Sequence, residues 1–139
     1  MMRTGLLGAA LALLVVAGAH ADEKVAKRAE GAKGGLVHVV IFRMKKDAPK
    51  DAVDEAIKDC HAMLAKISSV RGVRAGRPAE GGTPKLAKTD YDFGLLILVD
   101  DDAGLKSYLD DPQHQAFVKK HGKHFDMEKV RIFDFMNEK

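Results

Sequence analysis

The segment YLDDPQHQAFVKKHGKHF, Tyr108–Phe125, carries one of the chain's two tyrosines and three of its six histidines, with Pro112 among them. A histidine titrates near neutrality and can therefore take or return a proton in a reaction. A tyrosine hydroxyl can donate to an oxygen that gains negative charge. Three histidines can instead hold zinc or a haem iron. His114 and His121 are seven residues apart, on one face of a continuous helix, and His124 follows three later. Gly122 ends that helix before His124, and Lys119, Lys120 and Lys123 fill the segment with positive charge. No flanking carboxylate is placed to orient a ligand histidine, so no metal is expected. KKHGKHF reads as a solvated basic helix end, where cations suit the helix dipole.

Other reactive constellations are missing. Gly34-Gly35 and Gly81-Gly82 lack the lysine and spacing of a phosphate cradle, and no serine is placed for a triad. Asp90 and Asp92 flank Tyr91 at the start of a strand, which accounts for them without a metal. Cys60 is the only cysteine, so no internal disulfide can form. It falls within an apolar helical stripe, as a core thiol would.

These residues need elements to position them, and the first of those elements starts late. Arg3, the apolar run Leu6–Ala17 and the small-x-small step Ala19-His20-Ala21 form a secretory signal over residues 1–21, which makes the protein exported, periplasmic or secreted. The run is too short to span a bilayer, so no membrane attachment is expected after cleavage. Residues 22–35 are charged, small and glycine-ended, and read as a flexible leader. The mature chain carries 22 basic and 20 acidic side chains. That near balance gives no electrostatic reason to expect nucleic acid or an anionic membrane as a partner.

Residues 36–139 suit one domain. Leu36–Met44 is a β-branched, aromatic strand. From Pro49 to Ser69, Val53, Ile57, Cys60, Leu64 and Ile67 follow the spacing of an amphipathic helix, with His61 off the stripe and solvated. Val70–Arg77 is a weak edge strand, 78–90 a long connection, and Phe93–Val99 the clearest strand. Asp100–Asp102 can cap the helix that follows. Pro112 ends that helix and opens another, with Phe117, Val118 and Phe125 anchoring it to the core. Lys129–Phe135 is the last strand. The order βαββαβ, with its second helix broken, gives an α+β, ferredoxin-like protomer with a four-stranded antiparallel sheet.

Both faces of the central strands are apolar. Val37, Val39 and Ile41 oppose His38, Val40, Phe42 and Met44; Phe93, Leu95, Ile97 and Val99 oppose Leu96 and Leu98. Helices on one side cover only one face, and a second copy is the simplest cover for the other. A homodimer is expected.

HVVIFRMKKDAP, YDFGLLILVDD and YLDDPQHQAFV followed by FDF together resemble the stress-responsive A/B barrel (Dabb) family, over about a hundred residues from His38 to Phe135. The resemblance implies that two sheets pair into a dimeric α/β barrel. Many members have no assigned activity. A plant branch closes polyketide rings by aldol condensation, and the wider group includes cofactor-poor monooxygenases. The branch's working pair, a tyrosine before the proline and a histidine after it, matches Tyr108 and His114, and its first-strand histidine matches His38. Pro112 lets the two helical segments re-aim, so His114 can act as base while Tyr108 holds the forming enolate oxygen. No cofactor is needed for that step. The reading is an exported dimer that holds a small hydrophobic or carbonyl-bearing ligand in its barrel, lined by His38, Val40, Phe42, Leu96 and Leu98. Its alternatives are an enzyme using the His114/Tyr108 pair, and a structural stress protein whose barrel its own side chains fill.

Overall fold

The computed structural model describes residues 35–81 and 84–138. The expected signal sequence, and all of the expected leader except Gly35, lie outside them. Among the described residues no helix is long and apolar enough to cross a membrane.

Strand β1 (Leu36–Phe42) leads to helix α1 (Ala52–Ala62), then to β2 (Gly72–Gly76) and β3 (Phe93–Val99). Helices α2 (Asp102–Asp110) and α3 (Pro112–His121) follow, and β4 (Arg131–Met136) closes the chain. The sheet order is β2-β3-β1-β4, and every neighbouring pair is antiparallel. The weak strand β2 does occupy an edge.

Helix α1 is shorter than its apolar stripe suggests. It ends at Ala62, and Leu64–Lys66 form a 3-10 turn. Positions three apart align on such a turn, so Leu64 and Ile67 both still reach the core while the chain bends toward β2. Helix α2 starts where the aspartates indicate: Asp101 accepts from Gly104 N at 2.8 Å.

The break between α2 and α3 is local in origin. The ring of Pro112 excludes helical backbone at the preceding residue, and Asp111 is extended at φ −67°, ψ 137°. The Asp111 side chain then caps α3, accepting from Gln113 N at 2.7 Å.

The core lies between the sheet and the helices. Phe42 stacks on Phe93 with centroids 4.4 Å apart and planes 9° apart, and Phe125 leans on both. Burying each ring is worth roughly 2–3 kcal/mol. Phe117 joins them, whereas Val118 is exposed and does not anchor α3 as expected. It sits one position beyond the buried stripe formed by Phe117 and His121. No helix of the described residues lies over the other sheet face. Val39, Ile41, Leu96 and Leu98 are half-buried there, and Phe133 and Phe135 are exposed.

Candidate functional site

Tyr108 is the organising side chain. It is the largest fully buried residue, 1% exposed, at the end of α2 over the sheet. Two histidine rings lie against it. The His114 centroid is 4.7 Å away with planes tilted by 52°, and the His38 centroid 5.9 Å away with planes tilted by 59°. The bend at Asp111-Pro112 brings His114 back: six residues along an unbroken helix would have carried it about 240° round the axis.

Each histidine is held by its Nδ1. His38 Nδ1 lies 2.6 Å from Asp134 Oδ1, and His114 Nδ1 lies 3.0 Å from the Leu109 carbonyl oxygen. A carbonyl only accepts, so His114 Nδ1 carries the hydrogen, and a carboxylate imposes the same tautomer on His38. In the neutral rings both Nε2 atoms keep their lone pairs, and neither makes a hydrogen bond to a described residue. The Tyr108 hydroxyl likewise has no hydrogen-bond partner among the described residues.

The electrostatics suit proton handling. Burial lowers the His114 pKa, and the nearby His38 adds to that, outweighing the opposing effects of the Leu109 carbonyl and Asp111. Its ring is therefore neutral at pH 7 and able to accept a proton. Burial drives the Tyr108 pKa up, so the hydroxyl stays protonated as a donor. Asp134 remains about half exposed, so the cluster meets solvent at β4. Ile132 and Met136, both exposed, flank Asp134 on the same strand face.

The family model described as Stress responsive A/B Barrel Domain matches residues 36–137. The protein belongs to the Dabb family. Solved structures agree on the fold of this Dabb protein. A dimeric ferredoxin-like protein of unknown function from Thermobifida fusca is 24% identical, with a TM-score of 0.60 over 73% of this chain and 90% of that one. A Dabb family protein from Mesorhizobium loti is 24% identical, with a TM-score of 0.58 over 74% and 96%. A hydroxynitrile lyase from Passiflora edulis is 13% identical, with a TM-score of 0.63 over 76% and 94%. No curated protein gives a significant sequence match.

Within this Dabb protein the expected residues divide between two places. His38, Tyr108 and His114 meet on the helix-covered side of the sheet. Val40 and Phe42 share that side but are closed into the core. Leu96 and Leu98 do not join them. The register sets His38 against Ile97 and Val39 against Leu96, so Leu96 and Leu98 occupy the opposite face. A single cavity lined by all five expected ligand-binding residues is therefore corrected: a pleated strand cannot turn successive side chains to one side.

The reading of KKHGKHF as wholly solvated is corrected too. His121 is buried, and its Nε2 lies 2.8 Å from Asp59 Oδ2, which Lys120 Nζ also approaches to 2.6 Å. Asp59 is 62 positions away in sequence and supplies the orienting carboxylate that the flanking residues lack. Among the described residues no group of three or more His, Cys, Asp or Glu side chains could hold a metal ion.

Asp134 was the residue missed at the site itself. Its signal was a lone carboxylate in FDF, alternating with Ile132 and Met136 on one strand face. Only the β1–β4 register, which sets His38 against Asp134, gives it meaning.

Proposed function

We propose that this Dabb protein binds a small carbonyl-bearing molecule at the Asp134–His38–Tyr108–His114 row and moves a proton on it. One observation carries this reading: both histidines are tied through Nδ1, leaving two basic Nε2 atoms beside one buried, protonated tyrosine.

In the proposed step His114 Nε2 takes a proton from the carbon next to the carbonyl. The C–H electron pair becomes the enolate, and the Tyr108 O–H donates to the oxygen that gains the charge. The enolate carbon then attacks a second carbonyl of the same molecule, whose oxygen takes the proton back from His114 as its π bond breaks, or the enolate carbon itself recovers that proton. No electrons leave the substrate. His38, oriented by Asp134, binds the substrate or a second oxygen. The hydroxynitrile lyase shows that this fold supports catalysis in at least one protein, although at 13% identity the likeness is one of fold.

We further propose a homodimer through the sheet face that carries Val39, Leu96, Leu98, Phe133 and Phe135, in keeping with the dimeric relative from Thermobifida fusca. Export after cleavage behind Ala21 completes the proposal. The N-terminal sequence of protein recovered outside the cytoplasm tests it.

The test of the chemistry is hydrogen–deuterium exchange at carbons next to the carbonyl in a panel of ketones and β-diketones. Mass spectrometry of any ligand retained on purification guides the panel. Wild type should exchange deuterium, and His114→Gln should lose about 100-fold or more of the rate. Tyr108→Phe should lose a comparable factor, as removal of an oxyanion donor does. Equal exchange by all three proteins overturns the catalytic reading.

A further inference from the structure

Helix α3 bears His114, and little holds that helix in place. The chain leaves α2 through the extended Asp111, so α3 does not inherit its direction from α2. Of its ten residues only Phe117 and His121 are buried. Phe117 packs against the rings of His121 and Phe125, with centroids 4.9 and 6.4 Å away. Apolar burial is non-directional, so such contacts tolerate sliding. The second anchor has a direction. His121 Nε2 lies 2.8 Å from Asp59 Oδ2, and because a carboxylate only accepts, Nε2 carries the hydrogen.

His114 and His121 stand two turns apart on one face of α3, about 10 Å along its axis. Asp59 belongs to α1, one position before Cys60, which shares the buried core with Tyr108. The tie therefore joins the helix that bears His114 to the layer against which Tyr108 packs. Lys120 Nζ reaches the same Asp59 oxygen at 2.6 Å and Glu55 at 3.8 Å, but from the solvent side.

We infer that Asp59 is a positioning residue for His114: through His121 it pins α3 to α1 and so sets how closely the His114 ring lies against Tyr108. The Leu109 carbonyl fixes which nitrogen of His114 carries the hydrogen, and Asp59 fixes where the helix bearing that ring sits. The bend at Pro112 is the hinge about which α3 swings when the tie is cut. A displacement of about 1 Å at a reacting group can cost about 100-fold in rate. For catalysis the inference rests on the proton-transfer reading above, but the seat of the ring can be read without substrate.

The test follows the His114 imidazole by NMR titration of the full-length protein. In wild type, burial and the facing His38 hold its midpoint below 6.5, against the opposing effects of the Leu109 carbonyl and Asp111. Asp59→Ala should release the ring to water and raise the midpoint toward 6.5. Removing the Asp59 charge by itself would lower it, so a rise reports the release. His121→Phe keeps an aromatic ring beside Phe117 but has no donor for Asp59. It should raise the midpoint as well, and it keeps the inference testable if Asp59→Ala folds poorly. Lys120→Ala removes only the solvent-side partner and should leave the midpoint in place. In deuterium exchange Asp59→Ala and His121→Phe should each lose about tenfold to 100-fold in kcat, with KM changed far less. A lowered urea midpoint with an unchanged His114 titration in both variants would make the tie structural only and overturn the inference. A raised titration midpoint in both, with no exchange catalysed by wild type, would overturn the proton-transfer reading and leave the positioning of the ring standing.

Discussion

Asp134 and His38 face each other across the β1–β4 pair, with Oδ1 of one 2.6 Å from Nδ1 of the other. His38 is nearly sealed while Asp134 is half in solvent, so the pair joins the interior of the site to its open edge. It fixes the histidine's tautomer within the folded chain. Replacing Asp134 with Asn should therefore leave the fold intact and allow the His38 tautomer to mix. Nitrogen NMR of the imidazole reads this directly: a single Nδ1-protonated form in wild type, and averaged nitrogen shifts in Asp134→Asn. An unchanged tautomer would remove Asp134 from the site.

His114 gives a prediction in pH. Its folded pKa lies below the ordinary 6.5, because burial disfavours the cation. Above 6.5 the folded and unfolded chains hold the same number of protons at this residue. Below it the unfolded chain protonates first, so stability falls with pH until the folded pKa is passed. Urea midpoints between pH 7 and pH 5 should fall more steeply for wild type than for His114→Gln. Parallel slopes would show that this ring is not shielded.

The buried clamp between α1 and α3 should carry more stability than its surface partner. Asp59→Ala leaves His121 buried without its carboxylate and should cost about 3 kcal/mol in denaturant unfolding. Lys120→Ala removes only a solvent-facing arm and should cost less than about 1 kcal/mol. Burial pushes the Asp59 pKa up, but hydrogen bonds from Lys120 and His121 outweigh it and leave the group below its ordinary 3.8. The clamp's contribution is then complete above that value and lost as pH falls through the folded pKa. Similar costs for the two variants would count against the clamp.

Cys60 should behave as a core atom. It is fully buried, and burial with the neighbouring Asp59 charge pushes its thiol up to about 12. An aromatic disulfide reagent at pH 8 should label it only at the rate of global unfolding, and labelling should accelerate with urea. Rapid labelling of the native protein would contradict its placement.

The bare sheet face predicts association. Sedimentation at micromolar concentration should give a dimer, and Phe135→Glu on the exposed end of β4 should give a folded monomer. A wild-type monomer would remove the dimer from the proposal.

Local residue chemistry was enough for the element order, the edge position of β2, the break at Pro112 and the core role of Cys60. Each depends on neighbours a few positions away: a proline ring restricting the residue before it, or apolar spacing along one helix. The stop of α1 at Ala62 was not legible, because the apolar stripe runs on through a 3-10 turn that serves it equally well. Tyr108, His114 and His38 were singled out by the resemblance to the Dabb family, whose tyrosine, proline and histidine order and first-strand histidine they match.

What only the tertiary structure decided was which side chains share a space. Strand alternation separates two faces but does not say which face of β1 joins which face of β3. The register does, and it parts Leu96 and Leu98 from His38. Asp134 meets His38 across 96 positions and Asp59 meets His121 across 62. A carboxylate selects its partner by distance in space, and that distance is set when the sheet and helices pack.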